Sequence, residues 1–193
     1  SLVPSHGYQV IDPDTSMNAH TLTAARHAAG AVVMATDLVM EQRVENAFCA
    51  VRPPGHHATR RAAMGFCFFN NIAVGVAHAL EYHGLERVAV VDFDVHHGNG
   101  TEDIFANDPR VMVCSTFQHP FYPYSDPATA NEHIINLPLK AGTGSEGFRH
   151  TISEHVVPLL ENFQPQMLFI SAGFDAHRED DIAYLEFTDQ DYA

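Results

Sequence analysis

The stretch VVDFDVHHGNGT, residues 90 to 101, begins as an apolar run and ends in carboxylates, imidazoles and glycines. If the chain stays extended through it, alternation puts Asp92, Asp94 and His96 on one side. Asp94 and His96 can then share one cation. A third, oxygen ligand must come from another strand, and Asp175 in SAGFDAH is the candidate. Two carboxylates, one imidazole and an open position suit a divalent ion that holds water, with zinc first among the borderline metals. Taken alone, these residues also fit a plainer role as helix caps or partners of arginine.

A second cluster, RPPGHHA, presents His56 and His57 from a loop stiffened by two prolines and a glycine. Imidazoles titrate near neutral pH, so two of them beside a metal site can move protons in both directions. Each needs a partner to fix its tautomer, and Asp92 and Asn99 are available. A surface pair with no role is the competing account. Histidine is abundant, at 14 of 193 residues, and about one adjacent pair is expected by chance at that frequency. Pairs stand at 56–57 and 96–97, so their contexts must carry the argument.

The elements around these clusters alternate. Residues 20–42 carry Ala, Val, Leu and Met at helical spacing, and 69–83 and 145–163 read as further helices, with a short one in TEDIFAND. Apolar runs at 45–51, 87–93, 110–116, 133–139 and 166–172 read as strands. Helices between buried strands predict an α/β fold with a mostly parallel sheet covered on both faces. RPPGHH, DFDVHHGNG, FQHPFYPYS and GFDAH each follow one of these strands. In open α/β sheets, ligands bind beyond the carboxyl ends of the strands, so all four clusters are expected at one edge.

Composition narrows the partners. The 193 residues suit a single domain, and 46% hydrophobic with 18% charged residues is ordinary for a globular chain. A net charge of −14 argues against nucleic acid and favours a cationic or neutral small substrate. Cys49, Cys67 and Cys114 are scattered, which predicts no disulfide framework and a reducing, cytoplasmic setting. No apolar run approaches the roughly 18 residues of a membrane span, and no signal peptide is expected.

Together, RPPGHHA, GFCFFNN, VDFDVHHGNGT and SAGFDAH resemble the zinc-dependent histone deacetylase family, including its bacterial members that act on small amines such as acetylpolyamines. The likeness runs from about residue 12 to the end, in the family's order and spacing. It implies an arginase-like, three-layer α/β fold and hydrolysis of an N-acetyl amide. It makes Asp94, His96 and Asp175 zinc ligands and His56 and His57 the tandem histidines, with Asp92 behind the first and Asn99 behind the second. Asn stabilises an imidazolium less than a carboxylate does, so His57 is expected to be the general base. Gly65, Phe66 and Tyr122 match positions lining an acyl-lysine tunnel, although GFCFFNN also fits core packing. Asp14 matches a rim aspartate that orients substrate. A structural K+ or Na+ site is implied at Asp92, Asp94, His96, Ser115 and Thr116, partly through backbone oxygens.

Relative to that family the sequence is a partial catalytic domain, 1–193, without the terminal regions. The segment carrying the oxyanion-stabilising tyrosine has no counterpart, and Tyr184 and Tyr192 stand in no such context. Weak turnover is therefore expected, since such a donor is worth roughly 10²–10³ in rate. An uncovered sheet edge predicts self-association, as a dimer. Two other readings compete. One is a manganese ureohydrolase of the same fold, which needs Asp-x-His-x-Asp runs where this chain has Asp-x-Asp-x-His. The other is a remnant that binds metal or acyl groups without turnover.

Overall fold

The computed structural model describes residues 3–193. They form two compact units, one running to Leu85 and taking in Asn99–Ile104, the other made of Glu86–Gly98 and Phe105–Ala193.

The first unit opens with a small antiparallel hairpin, β1 (Gln9–Asp12) and β2 (Thr15–Met17), which the sequence reading did not anticipate. Helix α1 (Thr21–Met40) follows, its start tied by the Asn18 side chain, which accepts from the His20 N–H at 2.8 Å. Ala25, Ala28, Ala29, Val32 and Thr36 are its buried residues, one stripe at helical spacing. It packs on α2 (Asn71–Glu81), which buries Ala73, Val76, Ala79 and Leu80. Alanines on both helices let the two backbones approach closely.

The run 45–51, expected as a strand, is not one. It is irregular backbone with no ladder partner among the described residues, and Phe48 is 72% exposed. An apolar run becomes a strand only where another strand satisfies its N–H and C=O groups. Here the run rests on α1 instead, the Cys49 thiol lying 3.6 Å from the Ala31 carbonyl oxygen.

The second unit is built on a parallel sheet of β3 (Val88–Asp92), β4 (Val111–Gln118), β5 (Ile134–Leu139) and β6 (Met167–Ser171), in the order β5-β4-β3-β6. Strand β4 is buried along its whole length, as continuous apolar runs in parallel sheets require. The helical stretch after β5 runs as α4 (Ser145–Thr151), a π-helical segment (Ile152–Val156) and α5 (Val157–Phe163), whereas one regular helix was expected over 145–163. The cause is Pro158, which has no N–H to give to the carbonyl four residues back, so the ladder shifts there. Val156, with Ile152, Leu159 and Leu160, packs against Ala89, Met112 and Cys114 of the sheet. Helix α3 (Asn99–Phe105) begins two residues before the expected segment. No helix among the described residues is long and apolar enough to cross a membrane.

The register shows where core gives way to site. Ile135, Cys114, Val91 and Ile170 form one row across the four strands; one residue further on, the row is Asn136, Ser115, Asp92 and Ser171. The change from wholly apolar to wholly polar takes one step, at the carboxyl end of the sheet.

Candidate functional site

The second unit gathers Asp94, His96 and Asp175 at that edge, their ligand atoms all within 4.8 Å of one another. His96 Nδ1 lies 2.9 Å from Asp94 Oδ1 and 3.1 Å from Asp175 Oδ2. The residues converge, but not by strand alternation, because β3 has already ended at Asp92. Two successive Asx turns fold the segment: Asp92 Oδ1 accepts from the Asp94 N–H at 3.2 Å, and Asp94 Oδ1 from the His96 N–H at 2.8 Å. Asp175 is fixed across the sheet by the Val95 N–H, which donates to its Oδ1 at 3.0 Å.

These contacts set two carboxyl groups around one imidazole. Burial pushes the His96 pKa down, but hydrogen bonds to Asp175 and Asp94 outweigh it and raise it to about 9. A proton is thus held where a larger cation would sit. Tetrahedral zinc with N and O ligands near 2.0–2.1 Å needs ligand atoms about 3.3 Å apart, close to the spacing found here. Gly173 completes the cradle: a Cβ there would stand 2.0 Å from Asp94 Oδ2. The donor set and its spacing fit a divalent metal ion.

Deeper in the same unit, Asp92, Ser115 and Thr116 are 1%, 1% and 2% exposed, and the buried Thr116 Oγ1 has no hydrogen-bond partner. His97, the other member of its pair, turns away from the cluster: its Nε2 lies 3.0 Å from Asn136 Oδ1 and its ring 4.5 Å from that of Phe117. Aromatic rings flank His96, Phe121 stacked at 5.5 Å and Tyr122 edge-on at 5.9 Å.

The first unit holds the other half of the expected residues: His56, His57, Asn99, Gly65, Phe66 and Asp14. The histidines are 8% and 4% exposed, so the surface-pair account fails. Their ring centroids are 4.0 Å apart. His57 Nδ1 lies 2.7 Å from Asn99 Oδ1. An amide oxygen only accepts, so Nδ1 carries a proton, and in the neutral ring the lone pair lies on Nε2. The His56 carbonyl accepts from the N–H groups of Gly100 and Thr101 at 3.0 and 3.2 Å, fastening the loop to the start of α3.

GFCFFNN turns out to be a scaffold for that loop. Met64 and Cys67 exchange both backbone hydrogen bonds around Gly65 (φ +54°) and Phe66 (φ +63°), a tight turn of the type I′ class. A Cβ on Gly65 would meet His57 Cδ2 at 2.3 Å. Phe66 tolerates a left-handed backbone that costs a side-chain residue about 1–2 kcal/mol, and it is 52% exposed. Asp14 Oδ1 accepts from the Gly65 N–H at 3.0 Å and from Thr15 Oγ1 at 2.7 Å, so this carboxylate braces the turn. Asn70 caps α2 through the Ala73 N–H and reaches the Ala58 carbonyl and Thr101 Oγ1, while the Asn71 amide donates to the Pro53 carbonyl at 3.0 Å. Sequence reasoning passed over Asn70, Asn71 and Gly173. An Asn just before a helical period was the one usable signal.

Comparison with known proteins decides the family. Residues 3–193 match the histone deacetylase domain. The chain belongs to the histone deacetylase family. It is 42% identical over 190 residues to a probable deacetylase of Archaeoglobus fulgidus, covering 95% of this chain and 53% of that protein. It is 38% identical over 185 residues to polyamine deacetylase HDAC10 of Rattus norvegicus, covering 90% of this chain and 32% of that one. Among solved structures the HDA15 HD domain superposes with a TM-score of 0.92 at 37% identity, covering 96% of this chain and 56% of that chain. The fold is therefore the α/β fold of the deacetylases. The chain spans about half the length, or less, of these relatives.

Proposed function

We propose that this histone deacetylase-family chain carries the reacting groups of a zinc-dependent deacetylase that hydrolyses N-acetyl amides of lysine side chains or of small amines such as polyamines. The convergence of Asp94, His96 and Asp175 carries the reading, since two carboxylates and an imidazole whose ligand atoms lie within 4.8 Å of one another suit one divalent ion. A bound zinc ion supplies Lewis acidity to an amide carbonyl and makes water more acidic.

The chain's own task is proton handling. His57 presents Nε2 as a base because Asn99 holds the proton on Nδ1. It takes a proton from the water that adds to the acetyl carbon. The C–N bond then breaks, and the amine leaves with a proton from His56 or His57, giving acetate and free amine. Asn99 is neutral and does not hold the imidazolium as a carboxylate would, so His57 returns its proton readily. Phe66, exposed on a strained turn, and Tyr122, edge-on to His96, are the groups we assign to an alkyl chain. Gly65 and Asp14 set the position of Phe66. We further assign a K+ or Na+ ion to Asp92, Asp94, His96, Ser115 and Thr116, supported by the unpartnered, buried Thr116 Oγ1.

The net charge of −14 favours acetylated polyamines, which keep cationic amines at neutral pH. The test is acetate release from an acetyl-lysine peptide and from an acetylated polyamine, by the zinc-loaded protein and its His57→Ala variant. Turnover of either substrate that drops at least a hundredfold in the variant is expected. An unchanged rate in His57→Ala overturns the assignment of the base, and no hydrolysis of either substrate overturns the activity.

A further inference from the structure

A second group of ligating side chains lies in the first unit, outside every residue discussed above. Asp37 is near the end of α1, His78 in the last turn of α2, and His83 just beyond that helix. His78 Nε2 and His83 Nε2 lie 2.6 and 2.7 Å from the same oxygen, Asp37 Oδ1. The chain achieves this by curling at the end of α2: the N–H groups of Tyr82 and His83 both point to the His78 carbonyl, at 2.9 and 3.4 Å. That turn brings the ring of His83 edge-on to the ring of His78 at 5.1 Å, and Tyr82 stacks on His78 at 4.8 Å.

The arrangement exceeds what is needed to join two helices, for which one His–Asp hydrogen bond suffices. Two imidazoles whose Nε2 atoms face one carboxylate are the donor set of a borderline divalent ion. A tetrahedral ion needs ligand atoms about 3.3 Å apart, so each nitrogen must retreat by about 0.6 Å, within reach of side-chain rotation alone. The His78, His83 and Asp37 side chains are 20%, 15% and 35% exposed, which leaves an approach from solvent. Tyr82 stacking limits the rotation of the His78 ring.

We propose that Asp37, His78 and His83 form a second divalent transition-metal site, of the zinc and copper class, which ties the end of α1 to the end of α2. The site does not depend on the deacetylase reading. An ion bound there stabilises the fold by mass action, so zinc raises the melting temperature through this site.

The experiment uses protein stripped with chelator and titrated with zinc chloride by calorimetry. Two equivalents are expected for the unaltered protein and one for His83→Gln, whose amide still donates to Asp37 but offers no imidazole. Asp175→Ala should keep one equivalent, along with a zinc-dependent rise in melting temperature that Asp175→Ala/His83→Gln lacks. Cobalt chloride should give a visible d–d band in Asp175→Ala that is lost in the double variant. A single equivalent in the unaltered protein that His83→Gln retains, or two equivalents that persist through His83→Gln and His78→Gln together, overturns the proposal. Loss of one equivalent in His83→Gln, with the remaining equivalent lost in Asp175→Ala/His83→Gln, leaves the deacetylase assignment untouched.

Discussion

The two units solve the placing of reactive imidazoles in opposite ways. In the first, His57 is oriented by the Asn99 amide oxygen and a hydrogen-bonded loop, and glycines make room for it: Gly65 against its ring, Gly100 against the Ala58 carbonyl. In the second, His96 is held by charge, between two carboxylates that raise its pKa to about 9. The first environment fixes which ring nitrogen faces the amide. The second favours a cation, and the raised His96 pKa shows it favouring a proton. We read the same side chain as a base in one setting and a ligand in the other because its neighbours differ.

The contrast breaks most sharply with Asp175→Ala, which should abolish stoichiometric metal binding at the Asp94 cluster, whereas His57→Ala should leave it intact. Metal analysis of both variants in the His83→Gln background checks this without interference. Full occupancy in Asp175→Ala/His83→Gln would remove Asp175 from the ligand set.

Glycine substitutions sharpen it next. Gly173→Ala puts a Cβ 2.0 Å from Asp94 Oδ2 and should weaken metal binding at that cluster by about 10–100-fold. Gly65→Ala puts a Cβ 2.3 Å from His57 and should leave metal affinity unchanged while lowering turnover and stability. Calorimetric zinc titration of the two variants separates these outcomes. Equal zinc affinities would mean that the Gly173 space does not govern Asp94.

Proton competition gives a smaller, graded effect. His96 is raised, so its protonated form stabilises the metal-free fold below the unfolded value near 6.5, and that contribution fades as pH rises through about 9. Metal must displace this proton, so affinity at the cluster should rise about tenfold per pH unit between 7 and 9, with one proton released. Calorimetry in buffers of different ionisation heat reads both. A flat pH profile contradicts the charged picture of His96.

What the sequence made legible follows from the same physics. Strands β3 and β4 are buried at the centre of a parallel sheet flanked by β5 and β6, and all four appear as apolar runs, while α1 and α2 show a plain helical period. The run 45–51 looked the same, because composition records apolarity but not the presence of a pairing partner. Pro158 was visible, yet its effect was to insert a π-helical segment rather than end the helix. Asp94, His96 and Asp175 were readable because strand ends concentrate polar residues. The Asx turns that bring Asp94 and His96 together were not legible, since strand alternation would put the same two residues on one side. Gly173, Asn70 and the Asp37–His78–His83 group escaped because their meaning lies in partners far along the chain: His78 and Asp37 are 41 residues apart.

The smallest effect concerns a carboxylate away from either imidazole. Burial pushes the Asp191 carboxyl up, but Ser145 Oγ at 2.5 Å, Arg149 Nε at 2.7 Å and the Thr188 N–H at 2.7 Å bring it down to about 2. Its pKa is depressed, so its contribution is complete above the unfolded value near 3.8 and is lost as pH falls toward 2. Asp191→Asn should lower stability at neutral pH and flatten the acid limb between pH 4 and 2, read by circular dichroism. An unchanged acid limb would mean that other carboxylates govern acid unfolding.

Acetate release from an acetylated amine, measured before and after the metal is removed, tests the central claim most directly. The account predicts no release by stripped protein, recovery on adding zinc, recovery equally in His83→Gln, and none in Asp175→Ala. Release that continues undiminished after stripping, or that survives in Asp175→Ala, would contradict it.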